Sequence, residues 1–390
     1  MPSDRRPRTI GIVAGEASGD NLGAALIREI QKLAPGTSFI GVGGPAMIAE
    51  GFSTEVDMET LSVNGFVDPL LRLPDLIRLL LNVRDKIIAS EADCFVGIDS
   101  NFFNLLLSGM LHKRGIKTVQ YVSPTVWAWR QRRIKKIAHS IDLMMTLYPF
   151  ETEIYERNKI PVEFVGHPKA DEISPQQGDL NKMSARRHLG IGEADKVVAI
   201  LPGSRGSEVK LTGKDFLDAA ALISDSVDRF VIPAANASRL LQLQGMLADF
   251  PQLTRKVLLI AGQSREVITA ADVVLVNSGT ATLEAMLLRR PMVMSYRLGK
   301  ITYGIVSRLV HTDWFALPNI LAGRQLVPEF IQDAADPQIL ADAVLELLNA
   351  DDLTELMTQF DQIHRMLKKN SDPGRDAAKA VLQLCEKGLA

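Results

Sequence analysis

DKVVAILPGSRGSEV, residues 195–209, carries five apolar residues in a row, then Pro202-Gly203-Ser204-Arg205-Gly206, then a polar segment suited to a helix. A short β-branched run that ends in a glycine turn reads as a buried strand feeding a crossover. The same unit recurs downstream in DRFVIPAAN, KVLLIAG, DVVLVNSG and PMVMSYR. Upstream it recurs in RTIGIVAG, SFIGVGG, ADCFVGID, KTVQYVSP, DLMMTLYP and VEFVGHP. Strands alternating with helical periods predict an α/β protein with parallel sheets. Between the two series lies DEISPQQGDLNK, residues 171–182, a polar stretch rich in turn formers and read as a linker. Two doubly wound, Rossmann-like halves follow. The expected division is residues 1–170, residues 171–350, and C-terminal helices over 351–390 that can pack back on the first domain.

Length and charge narrow the function classes. A chain of 390 residues exceeds one ordinary core and suits two domains. The net charge of −2 excludes a general nucleic-acid binder, so a basic patch must meet a local anion. Cys94 and Cys385 are far apart and lack metal-ligand spacing, which suits a reducing cytoplasm. No apolar leader precedes the first strand, and no stretch reaches the ~18 unbroken apolar residues of a span. Peripheral contact with a membrane remains compatible with all of this.

In open parallel sheets ligands sit beyond the carboxyl ends of strands, so residues just after each strand carry the argument. LPGSRGSEV lets backbone amides face a ligand while Arg205 offers a planar fork to phosphate oxygens; a solvated turn arginine is the plainer alternative. VNSGTATLE opens a helix at Ser278-Gly279-Thr280, where free N–H groups and the dipole favour a phosphate. Glu284, one turn in, is within reach of a ribose; an N-cap serine followed by a solvent-facing glutamate is the alternative. Together the two turns point to a nucleoside diphosphate. GVGGPA follows the second strand instead of the first and reads as a tight turn, and GSEVKLTGKD lacks P-loop spacing.

The other half offers GIDSNFFN, which leaves Asp99 at a strand end as either a helix cap or a general base for an acceptor hydroxyl. GEASGD presents Ser18 or Asp20 as a cap in a neighbouring loop. His167 in GHP reads as structural or as a hydrogen-bonding group. The chain has no D-x-D pair and no His or Cys cluster, so no metal or other cofactor is expected. Residues 69–88, PLLRLPDLIRLLLNVRDKII, form an apolar arc wider than a core helix needs. Leu76 and Leu80 therefore belong either to a deeply buried helix or to one that also touches acyl chains or a membrane surface. YVSPTVWAWRQRRIKK sets Trp127 and Trp129 before Arg130, Arg133 and three further cations, either apolar walls beside an anion site or core tryptophans with solvated charges.

In order and spacing, IVAGEASGD, VGIDSNFFN, YVSPTVWAWR, FVGHP, LPGSRGSEV, SGTATLE and LPNILAG resemble the lipid-A-disaccharide synthase family, from about Arg8 to the C-terminal helices. The resemblance implies a GT-B fold and an inverting, metal-independent glycosyl transfer from UDP-2,3-diacylglucosamine to 2,3-diacylglucosamine 1-phosphate. It implies Asp99 as the base on the acceptor 6-hydroxyl. Arg205, Ser278, Gly279, Thr280 and Glu284 would hold UDP, with Tyr296, Arg297 and Asn319 closing around it. It also implies work at the cytoplasmic face of the inner membrane, with residues 1–170 facing acceptor and membrane and 171–350 binding the UDP-sugar. The family has a proline and a second aspartate where Asn101 and Phe102 stand here, and a methionine where Asn64 stands in LSVNGF. Two rival functions share the pattern: another GT-B UDP-sugar enzyme, such as the peptidoglycan glucosaminyltransferase or a UDP-sugar epimerase, and a nucleotide-binding scaffold without catalysis.

Overall fold

The computed structural model describes residues 8–54, 56, 58, 73–128, 131–299, 303–304, 312–369 and 372–387. The chain divides into two compact units, one of residues 1–171 with 367–390 and the other of residues 172–366.

The first unit is built on seven parallel strands: β1 (Thr9–Ala14), β2 (Ser38–Val42), β3 (Ser53–Thr54), β4 (Cys94–Ile98), β5 (Lys117–Tyr121), β6 (Leu143–Thr146) and β7 (Val162–Phe164). Their spatial order is β3-β2-β1-β4-β5-β6-β7, so the winding reverses between β1 and β4. Both faces of the sheet are covered, which is why β4, CFVGI, is buried at every position and shows no polar alternation. One face packs on the Ala17–Leu33 helix through Leu26, Ile27 and Ile30, together with Ala377, Val381 and Cys385 of the Pro373–Lys387 helix. The last helix thus returns to the first sheet, where Cys385 Sγ lies 2.8 Å from Cys94 Sγ and Arg8 pairs with Glu386 at 2.9 Å.

The other face holds the Leu73–Ala89 and Asn101–His112 helices. Leu79, Leu80, Val83 and Ile87 share a core with Phe103, Leu107 and Leu111, while Asp75, Arg78, Asn82 and Asp85 form the outer stripe. Leu80, only 5% exposed, is therefore a core residue and not an acyl or membrane contact. Leu76 packs at the margin of the same core, and Ile77 is the exposed apolar residue of this turn.

The second unit repeats the scheme with six parallel strands: β8 (Val197–Leu201), β9 (Arg229–Ala234), β10 (Val257–Ala261), β11 (Val273–Asn277), β12 (Met292–Tyr296) and β13 (Glu329–Ile331). Their order is β10-β9-β8-β11-β12-β13, with the reversal between β8 and β11. The Pro337–Leu348 helix packs here through Leu340, Ala341 and Val344, and Arg289 ties the Thr354–Leu367 helix to this unit through Asp361.

Two expectations change. The boundary between the two units falls within residues 171–182, after Asp171, but the stretch is largely helical, over Pro168–Glu172 and Gln177–His188. The second helix is polar because ion pairs hold it, Arg186 to Asp272 at 2.8 Å and Asp179 to Arg290 at 2.7 Å. The edge strands β3 and β13 carry no long apolar run: β3 is only Ser53–Thr54, and β13 is the three residues Glu329–Ile331. The reading of Asn64 in LSVNGF lies outside the described residues.

Candidate functional site

The chemistry of the second unit gathers at the carboxyl ends of β8, β11 and β12. After β8 the chain turns at Gly203, whose φ of 123° brings the turn against Glu208; a Cβ there would lie 2.6 Å from that of Glu208. The Gly206–Leu222 helix begins at once, capped by Glu208, whose Oε2 accepts the backbone N–H groups of Ser204 (3.0 Å) and Arg205 (3.1 Å). Thr212 ties this helix to Pro202 O at 2.9 Å. The Arg205 side chain is 70% exposed and touches Glu208 only at 3.4 Å, so it is free to reach a ligand.

After β11 the Thr280–Leu287 helix opens behind Gly279, at φ 140°, with no side-chain cap. Gly279 and Thr280 are exposed, leaving a bare positive helix end. Ser278 is not the cap; its hydroxyl donates to Phe315 O at 3.3 Å. Glu284 is not a solvent-facing side chain either. It is 9% exposed and accepts from Arg265 Nε at 3.2 Å, while Arg265 Nη2 donates to Glu172 at 2.9 Å. Tyr296, half-buried at the end of β12, has its hydroxyl pKa raised by burial and by the Glu208 charge, with Arg205 opposing.

Two expected ligand contacts turn inward instead. Arg297 pairs with Asp215 at 2.5 Å and donates to Ala335 O at 2.8 Å, bracing the Gly206–Leu222 helix. Asn319 is fully buried with its amide saturated: Nδ2 donates to Val327 O and Glu329 (both 2.9 Å), and Oδ1 accepts from Leu326 N (2.7 Å) and Val327 N (2.9 Å). It acts at one remove, because Glu329 also holds the backbone N–H groups of Phe315 and Ala316 beside Ser278.

In the first unit Asp99 follows β4 with φ 51°, and Ser100 follows at φ 40°, a left-handed pair with no glycine. The ladder still holds them: Asp99 N donates to Tyr121 O at 2.9 Å. Buried Asn104 donates to Asp99 O at 2.9 Å, to Ile98 O at 3.1 Å and to Val13 O at 3.2 Å, and Gln120 reaches Asp99 O at 3.2 Å. With its backbone fixed, the half-buried carboxyl has its pKa raised by burial first and then by the nearby Glu16 charge. Asp99 is thus no helix cap. Ser18 is exposed just inside the Ala17–Leu33 helix, whose N-cap is Glu16. Asp20 instead caps the Pro45–Ala49 helix by accepting from Gly44, Ala46 and Met47 N–H groups at 2.8–3.1 Å.

Beyond β5 and β6 lies an aromatic group. Trp127 meets Phe150 edge-on at 5.0 Å, and Tyr148 stacks on Phe150 at 5.8 Å and contacts His167 at 5.2 Å. Beneath them burial pushes Glu151 up to about 8, against hydrogen bonds from Tyr148 and Leu147 N–H and from the Ser123 and Trp127 side chains. Burial lowers His167 to about 4, so it is neutral and structural. Arg133 is half-buried near Tyr155, while Lys135 and Lys136 face solvent around buried Ile134 and Ile137. Trp129 and Arg130 lie outside the described residues.

Sequence reasoning passed over Arg265, Asn104 and Glu151. Arg265 follows β10 in AGQSREV after left-handed Gln263, a strand-end signal of the kind used elsewhere. The other two lie inside helical turns and carry no local mark.

Two doubly wound units, each with its polar groups at the carboxyl edge of a parallel sheet, form the GT-B type of fold. The fold matches the UDP-GlcNAc 2-epimerase of Neisseria meningitidis (TM-score 0.60, 12% identity, 97% of this chain and 100% of that one). It also matches Acinetobacter baumannii MurG (TM-score 0.54, 14% identity, 98% and 99%). The family described as lipid-A-disaccharide synthetase matches residues 10–383. Lipid-A-disaccharide synthases of Hahella chejuensis (46% identity, 99% of this chain and 97% of the relative) and Pseudomonas aeruginosa strain UCBPP-PA14 (48%, 97% and 98%) are similar over nearly the whole length. The chain belongs to the lipid-A-disaccharide synthase family, glycosyltransferases that form the lipid A disaccharide.

Proposed function

We propose that the chain transfers the 2,3-diacylglucosaminyl group of UDP-2,3-diacylglucosamine to the 6-hydroxyl of 2,3-diacylglucosamine 1-phosphate, inverting the anomeric centre and releasing UDP. The observation that carries the reading is the clamped left-handed Asp99, a half-buried carboxyl with raised pKa at a strand end. As a carboxylate it takes the hydroxyl proton while the oxygen attacks C1 and the bond from C1 to the diphosphate oxygen breaks. Its raised pKa makes it a stronger base than a free carboxylate. Arg205 and the open Gly279–Thr280 helix end offset the charge that develops on the leaving diphosphate. Glu284, held by Arg265, accepts from a ribose hydroxyl, and Tyr296 borders the same turn.

The acylated substrates imply peripheral contact with a membrane at its cytoplasmic face. Ile77, Phe102 and Leu106 are each 45–64% exposed on the two helices that cover one face of the first sheet, and suit that contact. Among the described residues no helix is long and apolar enough to cross a membrane.

The test is a mixed-micelle assay of both substrates that reads UDP release and disaccharide mass for wild type and Asp99→Ala. Product from wild type, lost in the variant while UDP binding persists, supports the reaction and the base. UDP binding without product from acylated sugars, but with turnover of a non-acylated donor, favours a different UDP-sugar enzyme.

A further inference from the structure

β8 and β9 are paired neighbours, so the chain leaving β9 emerges beside the Gly203–Gly206 turn. It enters the Ala237–Leu247 helix behind Asn236, whose side chain accepts the Arg239 N–H at 3.0 Å. Arg239 therefore stands in the first turn of its own helix, which has no acidic residue there. Its guanidinium also lies against Gly206, the first residue of the Gly206–Leu222 helix; a Cβ on Gly206 would fall 2.2 Å from Nη1 and 3.0 Å from Cζ. A cation is thus held at the positive ends of two helices at once, where the dipoles oppose it.

No ion pair of Arg239 offsets this among the described residues. Arg239 Nη2 donates to Ser238 Oγ at 2.7 Å, its Nε is buried without a partner, and no carboxylate pairs with it among the described residues. A second group points to the same turn. Asn277, 3% exposed at the end of β11, has both amide atoms buried without partners, and its Nδ2 lies 3.2 Å from where a Cβ on Gly203 would stand. Unpaired buried amides are costly, and a ligand at this turn would offer them partners. Among the described residues the carboxylate at this turn is that of Glu208, which the Ser204 and Arg205 N–H groups already engage.

We propose that Arg239 is a second phosphate-binding arginine, which together with Arg205 holds a phosphate of the nucleoside diphosphate over Gly206. Glycine leaves room for the guanidinium at the helix end, where a Cβ would collide with Nη1. This rests on the reading that the Gly203–Gly206 turn receives a diphosphate.

The experiment is isothermal titration of UDP, uridine and inorganic pyrophosphate into wild type, Arg205→Ala, Arg239→Ala and Arg239→Lys at one ionic strength, with the melting temperature of each variant. Arg239→Ala is expected to weaken UDP and pyrophosphate by about 10- to 100-fold, the scale of one charge-assisted pair, and to leave uridine unchanged. Arg239→Lys should recover part of the loss, since it restores charge without the fork. UDP affinity unchanged in Arg239→Ala but lost in Arg205→Ala would overturn the inference and leave the diphosphate reading standing. An equal loss for uridine and UDP would also overturn it, by making the effect structural. Failure of wild type to bind UDP would overturn both.

Discussion

Replacing Asn104 by alanine tests how the first unit holds the proposed base, Asp99. Asn104 is fully buried, and its amide serves three carbonyls: Val13 O on β1, Ile98 O on β4 and Asp99 O beyond it. Gly97 admits it, because a Cβ there would lie 2.7 Å from that of Asn104. Alanine keeps the packing of Cβ and removes both N–H donors, leaving buried carbonyls short of partners. At about 1–2 kcal/mol per lost donor the cost is about 2–4 kcal/mol. For a unit of this size that lowers the melting temperature by about 5–15 °C. Function should suffer separately. Asp99 and Ser100 are left-handed at a cost on the order of 1 kcal/mol or more each, and Asn104 with Gln120 resists their relaxation. Once released, the carboxyl shifts, and a displacement near 1 Å lowers kcat about 100-fold. KM for the UDP-sugar should hold, because its proposed ligands lie in the other unit. Thermal unfolding and steady-state kinetics well below the melting point measure the two effects. A destabilised Asn104→Ala enzyme with wild-type kcat per folded molecule would refute the clamp; an unchanged melting temperature would refute the accounting of its hydrogen bonds.

Glu151 titrates at about 8 in the folded protein against an ordinary 4.5. The folded state thus keeps a proton that the unfolded chain has released, so this contribution to stability falls as pH rises from about 4.5 through about 8. Glu151→Gln should flatten the melting temperature across that window; a slope unchanged from wild type would sink the assignment. In the proposed role Asp99 acts as a base only when ionised, so its raised pKa should move the acid limb of the kcat profile to higher pH than a free carboxylate would give. Glu16→Gln removes one of the causes and should move that limb down, and a limb that stays in place would exclude the Glu16 charge. Leu80→Ala should cost about 2–4 kcal/mol of stability without altering partition to anionic vesicles. Ile77→Ser with Phe102→Ser should weaken partition with little change in melting temperature; the reverse pattern would invert the assignment of the Leu73–Ala89 helix.

Eleven of the strands are legible because sheets covered on both faces demand continuous apolar runs, as in VVAIL of β8 and VVLVN of β11. β3 and β13 are not, because a short edge strand is defined by its neighbour's hydrogen bonds and not by its own burial. Residues 177–188 mislead for a related reason. Their helix is held by ion pairs from Arg186 and Asp179 to residues about 90 and 110 positions away, which no local pattern records. The same limit applies at the site. Arg205 and Gly279 stand out through turn chemistry, whereas Asn319, which only the family resemblance sets near UDP, makes four internal hydrogen bonds that no local pattern records. Arg239 gives no local sign, since its meaning comes from Gly206, 33 residues earlier.

The two units use their strand ends differently, and the difference follows from the chemistry assigned to each. In the second unit the positive φ values after β8 and β11 fall on glycine, Gly203 and Gly279, where the proposed diphosphate would approach bare backbone. After β4 and β5 in the first unit they fall on Asp99, Ser100 and Val122, the last β-branched and strongly disfavoured there. Glycine would relieve that strain, but it could not supply a carboxylate at the end of β4. The ladder continues past each strand to hold the strained residues, Asp99 N to Tyr121 O and Val122 N to Met145 O, at 2.9 and 3.0 Å. A diphosphate site needs open N–H groups and an excess of positive charge, which small residues and arginines provide. A base needs one side chain aimed from a backbone that cannot yield, and here Asn104, Gln120 and the sheet ladder together supply that rigidity.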